Sequence, residues 1–229
     1  MNIYSYVLRT DDGAAPNPFG GICTLTICKP VIRRTACIGD WVIGTGSKRV
    51  NLGNGETCDF SDSIVYAMKI TDIMSLKEYD EYCKASLTNK IPVIETKDWT
   101  LKVGDCIYDY SKGDIPLIRR GVHNENNRAR DLSGHNALLS DHFYYFGSEA
   151  RPLPLELKDL IKKSQGHKKI ENVELLRKFE MWIEQFDRNR IYADPQMCWF
   201  FDREITDKNL SDCANQCSED DNEMEEEVC

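Results

Sequence analysis

Glycine, proline and aspartate cut the first 150 residues into short β-branched and aromatic runs, which a chain can bury as strands far more readily than as long helices. Asn2 to Arg9 mixes both residue types and stops at Asp11-Asp12-Gly13. Ala14 to Gly21 holds two prolines and two glycines and reads as an ordered loop or lid. Ile22 to Cys28 reads as a strand ended by Lys29-Pro30, because proline cannot continue a central ladder. Val31 to Ala36 leads to a turn at Ile38-Gly39-Asp40, followed by Trp41-Val42-Ile43 and the glycine-bent Gly44-Thr45-Gly46-Ser47. Ser61 to Ile70 reads as the next strand, and a helix is predicted to start near Ser75 and run towards Lys84. Residues 111 to 135 are polar and read as irregular, while Phe143 to Gly147 reads as a strand.

The pattern changes at Glu156. Leu157, Leu160 and Ile161 take helical spacing, and a second helix is predicted from Asn172 to Asp187, with Leu175, Leu176, Phe179, Trp182, Ile183 and Phe186 on one face. Strands early and helices late predict an α+β fold around a small, curved, mostly antiparallel sheet with peripheral helices. A doubly wound dinucleotide fold would need regular strand and helix alternation with a glycine fingerprint at the first turn, and neither is present. The body, 1–202, reads as one domain, β-rich to 155 with a helical addition at 156–202.

Charge is unevenly placed. The 229 residues carry a net charge of -9, of which residues 203 to 229 account for -8, with ten acidic residues against Arg203 and Lys208. That acidic segment is expected to be disordered and free to recruit a protein partner. The body is nearly neutral, so charge argues neither for nor against nucleic acid. No membrane span, no secretory leader and a cytoplasmic location are expected.

Ten cysteines without repeated close spacing read as free thiols, with Cys23, Cys28 and Cys106 as small buried hydrophobes. Cys213 and Cys217 lack the further ligands that zinc would need, and no cofactor is expected. Neither a Ser-His-Asp order nor a nucleophile elbow stands out, so a covalent mechanism has no candidate at this level. Gly44-Thr45-Gly46-Ser47-Lys48 lacks the spacing of a phosphate-binding loop.

The densest chemistry is Lys29-Pro30-Val31-Ile32-Arg33-Arg34 with Trp41 and Gly44 to Ser47. Cations that hold phosphate, a ring that stacks and exposed amides are what a base-binding site uses. Trp41 after a turn also fits a plain core position, and Lys29, Arg33 and Arg34 equally fit a solvated face. Asn17 and Phe19 from the loop, with His142 and Tyr144 beside an aromatic strand, complete the expected ligand-binding set. The alternative is a metal-dependent hydrolase or nucleotide-modifying enzyme built on His123, His135 and His142, although their spacing matches no ligand motif.

Ala15 to Phe19, Cys28 to Arg33, Gly39 to Ser47 and Leu139 to Gly147 together resemble the second of the nucleotide-modification-associated domain families, which are bacterial and phage-linked. More distantly the Gly39-Asp40-Trp41 turn and the strands around it look like the PUA-like barrels, a class that includes readers of modified bases. The resemblance implies a small β-barrel and a nucleic-acid or nucleotide ligand, a base that is modified or not, in a DNA-modification or defence context, with DNA, RNA and free nucleotide all open.

Overall fold

The computed structural model describes residues 1–53, 55–163 and 166–220, with side chains to 215. In chain order the strands are β1 (Ile3–Val7), β2 (Cys23–Leu25), β3 (Trp41–Thr45), β4 (Val50–Asn51), β5 (Thr57–Cys58), β6 (Ser63–Lys69) and β7 (Asp72–Ser75). They continue with β8 (Tyr108–Asp109), β9 (Leu117–Ile118), β10 (Asn136–Ser140), β11 (Phe143–Tyr145), β12 (Arg151–Pro152), β13 (His167–Ile170) and β14 (Arg190–Ile191). The helices are α1 (Pro30–Thr35), α2 (Leu76–Ser86), α3 (Trp99–Lys102), α4 (Glu125–Ser133), α5 (Val173–Ile183) and α6 (Asp207–Asp220).

Seven strands form one sheet in the order β13-β1-β3-β6-β11-β14, with β12 also on β6. The order β2-β10-β7 makes a second, three-stranded sheet, and β4-β5 and β8-β9 are two-stranded ribbons. Pairing is mixed: β1 runs parallel to β3, and β11 parallel to β14. This corrects the expected mostly antiparallel PUA-like barrel, because the large sheet is open and contains parallel pairs. The cause is connectivity. Between β1 and β3 the chain leaves the sheet to form β2 and α1, and between β11 and β14 it adds β12 and β13 elsewhere in the sheet and then crosses back through α5. Crossovers of that length return a strand in the parallel sense, whereas a tight hairpin cannot.

Alternation along the strands sends side chains to two cores. Tyr4, Tyr6, Val42, Tyr66, Met68, Phe143 and Tyr145 face Leu25, Ile32 and Leu138 from β2, α1 and β10. Ile3, Trp41, Ile43, Ala67 and Tyr144 face the other way, towards Leu157, Leu160, Leu176, Phe179 and Ile183. With both faces covered, β1, β3 and β6 are almost wholly buried. A third core joins α2 to Ile94, Val103, Ile107, Val122 and α6.

The helix predicted near Ser75 is α2, whose start is fixed by a capping box between Ser75 and Glu78. The helix predicted from Asn172 is α5, capped by the Asn172 side chain on the Leu175 amide. Leu155 to Leu160, by contrast, is a 3-10 segment. The acidic segment also differs from expectation. Residues 207 to 220 form α6, where Leu210, Cys213 and Ala214 are buried at i, i+3 and i+4 spacing, enough of a stripe to dock the helix. Residues 221–229 lie outside the described residues. Among the described residues no helix is long and apolar enough to cross a membrane.

The one glycine of β3, Gly44, has a packing reason. A Cβ at this position would lie 2.5 Å from the Tyr66 ring. That ring is fully buried, and its hydroxyl shares a 2.8 Å hydrogen bond with Tyr6, so it has little room to yield. Gly44→Ala is expected to cost about 1–3 kcal/mol by overpacking, lowering Tm by roughly 2–12 °C for a chain of this size. Thermal unfolding followed by circular dichroism measures it; an unchanged Tm would show that the space is needed for something other than the ring.

Candidate active site

β2 leaves its sheet at Leu25 and reaches α1 through Thr26, Ile27, Cys28 and Lys29. Cys28 and Lys29 both hold left-handed backbone, with φ of 57° and 41°, a conformation that costs a non-glycine residue about 1–2 kcal/mol. Such strain persists only where surrounding bonds over-determine it, and it concentrates at functional sites. Here the bonds are visible. The Cys28 amide donates to Asp131 Oδ1 at 3.0 Å, and the Cys28 carbonyl accepts from Arg33 Nε at 2.7 Å.

Asp131 lies on α4, whose first turn is closed by a capping box between Asn124 and Asn127. His123 immediately precedes that cap. Its Nδ1 lies 2.6 Å from Asp131 Oδ2, and its Nε2 lies 3.5 Å from the Cys28 sulfur. Tyr108 donates a further 2.8 Å bond to Asp131 Oδ2. Burial alone would lower the pKa of His123, but the Asp131 carboxylate and the Cys28 sulfur raise it well above the usual histidine value. Burial pushes the Asp131 carboxyl up, and His123, Arg33 and Tyr108 more than reverse this, holding it below its ordinary value. A thiol, an imidazole and a carboxylate are therefore connected in sequence, the carboxylate fixing Nδ1 and leaving Nε2 towards sulfur. This is the geometry of an activated nucleophile.

Cys28 and His123 border open space, while Asp131 is buried behind them. Cys28 and His123 line a small cavity of about 30 Å³, partly open to solvent, with Leu8, Ile27 and Val122 as apolar wall and Arg9, Lys29 and Asp12 as charged wall. The Lys29 ammonium lies 4.9 Å from the centre of the Tyr6 ring, which also borders the cleft. Asp12 is buried; burial raises its carboxyl pKa, although it accepts from the Ala14 amide at 2.9 Å and contacts the Cys213 thiol at 3.6 Å.

A comparison of the sequence with protein-family models returned nucleotide modification associated domain 2, matched over residues 1–203. The chain belongs to that family. Neither the curated proteins nor the solved structures returned a match. The matched span of the nucleotide modification associated domain includes Cys28, His123 and Asp131 and ends before α6.

Of the ligand-binding residues expected from sequence, Lys29 lines this cleft. Arg33 is fully buried and donates to the carbonyls of Cys28, Asp131 and Asn136. Trp41 is also fully buried, its Nε1 on Glu180 at 3.0 Å and its ring against Phe179, His142 and Tyr144. Tyr144 stacks at 6.3 Å between centroids, and the half-buried His142 meets Trp41 edge-on at 5.1 Å. Burial, then Arg188 and Lys69, lowers the His142 pKa to about 4, so this ring is neutral near pH 7. Asn17 is buried and tied to Val103 and Lys90, while Phe19 packs edge-on against Trp99. Gly44 and Thr45 belong to β3. Gly46 bonds Ser63, and the Ser47 carbonyl accepts from Phe60.

The three histidines of the hydrolase alternative are not brought together. His123 is in the cleft, His135 is exposed in a left-handed turn after α4, and His142 is against Trp41. Among the described residues no group of three or more His, Cys, Asp or Glu side chains is arranged to hold a metal ion. The side chain of Cys217 lies outside the described residues. Cys28 is buried, as its apolar run suggested, and what sequence reasoning did not show is its place 3.5 Å from His123.

Proposed function

We propose that this member of the nucleotide modification associated domain 2 family is a thiol enzyme that transfers or hydrolyses an acyl group on a nucleotide-derived substrate, with Cys28 as nucleophile. The observation that carries the reading is the connected set Cys28 Sγ, His123 Nε2 at 3.5 Å and Asp131 Oδ2 at 2.6 Å from the other ring nitrogen, opening on a cleft. The Cys28 proton passes to His123 Nε2, and the thiolate adds to the acyl carbon, forming an S–C bond. Collapse of the adduct breaks the bond to the leaving group, which takes the proton back from the imidazolium. Water, deprotonated by His123, or an acceptor nucleophile then releases the thioester. Asp131 keeps Nδ1 protonated and stabilises the imidazolium throughout, and it takes no proton itself.

The test uses iodoacetamide at Cys28, read by peptide mass spectrometry between pH 5.5 and 8.5. A thiolate already paired with imidazolium reacts at a nearly constant rate over that range, whereas an ordinary thiol, with a pKa of about 8.5, gains roughly tenfold per pH unit below its pKa. Wild-type protein is expected to show the flat profile and His123→Asn the steep one. A steep profile in the wild type would sink the nucleophile assignment.

The rival reading is a module that binds a modified base in DNA without turnover. The Lys29 ammonium beside the Tyr6 ring favours it, since cation and ring at one cleft suit a phosphate and a base. On that reading Cys28 labels as an ordinary thiol, and a modified base in an oligonucleotide protects it.

A further inference from the structure

We propose that Cys28 is also a peroxide-reactive thiol, which a small hydroperoxide oxidises to a sulfenic acid and so switches off as a nucleophile. This rests on the thiol reading of Cys28 and adds a mode of regulation to it. The observation that carries it is the cavity at the sulfur. A volume of about 30 Å³ is room for roughly two water-sized molecules, since one needs about 10–15 Å³. Hydrogen peroxide, two bonded oxygens, is of that size, whereas a hydroperoxide carrying a ring is not. Cys28, His123 and Asp12 supply polar partners in the wall, and the cavity is partly open, so a small oxidant can enter from solvent.

The Cys28 sulfur, its proton passed to His123 Nε2 at 3.5 Å, attacks the near oxygen of the peroxide; an S–O bond forms and the O–O bond breaks. Sulfur loses two electrons. The departing oxygen gains them as hydroxide, takes the proton from the imidazolium and leaves as water, so His123 both frees the sulfur and protonates the leaving group. A low-molecular-weight thiol reverses the oxidation: it displaces water to form a mixed disulfide, and a second such thiol releases Cys28. Cys23, Cys106 and Cys37 are placed differently. Burial pushes the Cys23 thiol up to about 12, and Cys83 together with burial pushes Cys106 up as well. The exposed Cys37 rests on the Thr35 carbonyl at 3.9 Å, an acceptor that cannot stabilise a thiolate.

The experiment exposes the reduced full-length chain at pH 6.5 to hydrogen peroxide or to cumene hydroperoxide and removes the oxidant by rapid desalting. The chain is then unfolded in urea with dimedone to trap sulfenic acid, and each cysteine is read by peptide mass spectrometry. At that pH an ordinary thiol is about 1% thiolate. A sulfur already paired with imidazolium gains roughly 100-fold in thiolate and gives part of this back, because a less basic sulfur is a weaker nucleophile. Cys28 is therefore expected to oxidise at least about tenfold faster than the exposed Cys37 and the half-buried Cys58. It should lose that lead with cumene hydroperoxide and in His123→Asn, and dithiothreitol should return it to the free thiol. Oxidation of Cys28 no faster than that of Cys37, or cumene hydroperoxide matching hydrogen peroxide at Cys28, would overturn the proposal. The comparison among wild-type cysteines stands whether or not His123→Asn folds. Neither result touches the nucleophile assignment, because the iodoacetamide profile is read without oxidant.

Discussion

Asp131→Asn is expected to destabilise the fold by about 3–5 kcal/mol at pH 6, the cost of breaking a buried charge pair from one side. The substitution keeps the shape of the side chain but removes the charge facing His123 at 2.6 Å, and it weakens the acceptor that Tyr108 and the Cys28 amide share. The pH dependence distinguishes this from a generic packing loss. His123 has a folded-state pKa raised well above 6.5, so its pairing contributes fully below about pH 6.5 and is lost as pH rises through the raised value. Asp131 is held below its ordinary value, so its contribution is present above about pH 4 and lost as pH falls through the lowered value. The gap between wild type and variant should therefore be widest between about pH 4 and 6.5 and narrow on either side. Urea denaturation across that range measures it. In the same variant the flat labelling profile of Cys28 should become steep, because His123 loses the group that keeps it charged. A gap independent of pH would mean that Asp131 serves only as a hydrogen-bond acceptor for the backbone.

What the sequence made legible was local. A capping serine with Glu78 three residues on marked α2, the period of Leu175, Leu176, Phe179, Trp182, Ile183 and Phe186 marked α5, and β-branched runs marked β3 and β6. Pairing was not legible, since nothing in the alternation of β1 says that its neighbour is β3 in the parallel sense. α4 escaped because its surface is polar and its capping box uses asparagine at both positions in place of the commoner serine or threonine with glutamate. Losing α4 meant losing the site. Cys28 is 95 residues from His123 and 103 from Asp131, so only the tertiary fold joins them. A usable signal was nevertheless present: a cysteine between an apolar run and Lys29-Pro30 occupies a strand-to-helix corner, and His123 and Asp131 bracket a segment with helical capping.

The same distance in sequence explains the reading of Arg33 as a phosphate ligand, and its replacement by alanine should separate the two roles. The guanidinium has no exposed surface. Its three donors reach the carbonyls of Cys28 at the strained corner, Asp131 near the end of α4 and Asn136 at the start of β10, while Asn136 returns a side-chain bond to the Arg33 carbonyl at 3.1 Å. Arg33→Ala would leave three carbonyls without these partners and a cavity where the planar group lay against Gly134. Hydrogen bonds to charged groups contribute about 1.5–3 kcal/mol each without adding fully, so the expected loss is on the order of 4 kcal/mol. Lysine should recover little, because a single ammonium cannot span three carbonyls arranged for a fork. Chemical denaturation measures the loss, and nucleotide titration below the transition provides the control. A phosphate ligand would lose affinity and keep its stability. The structure predicts the reverse order: stability falls first, and any weakening of binding follows from the loosened Cys28 and Lys29 backbone, so Arg33→Ala and Arg33→Lys should weaken binding in proportion to the stability each one loses.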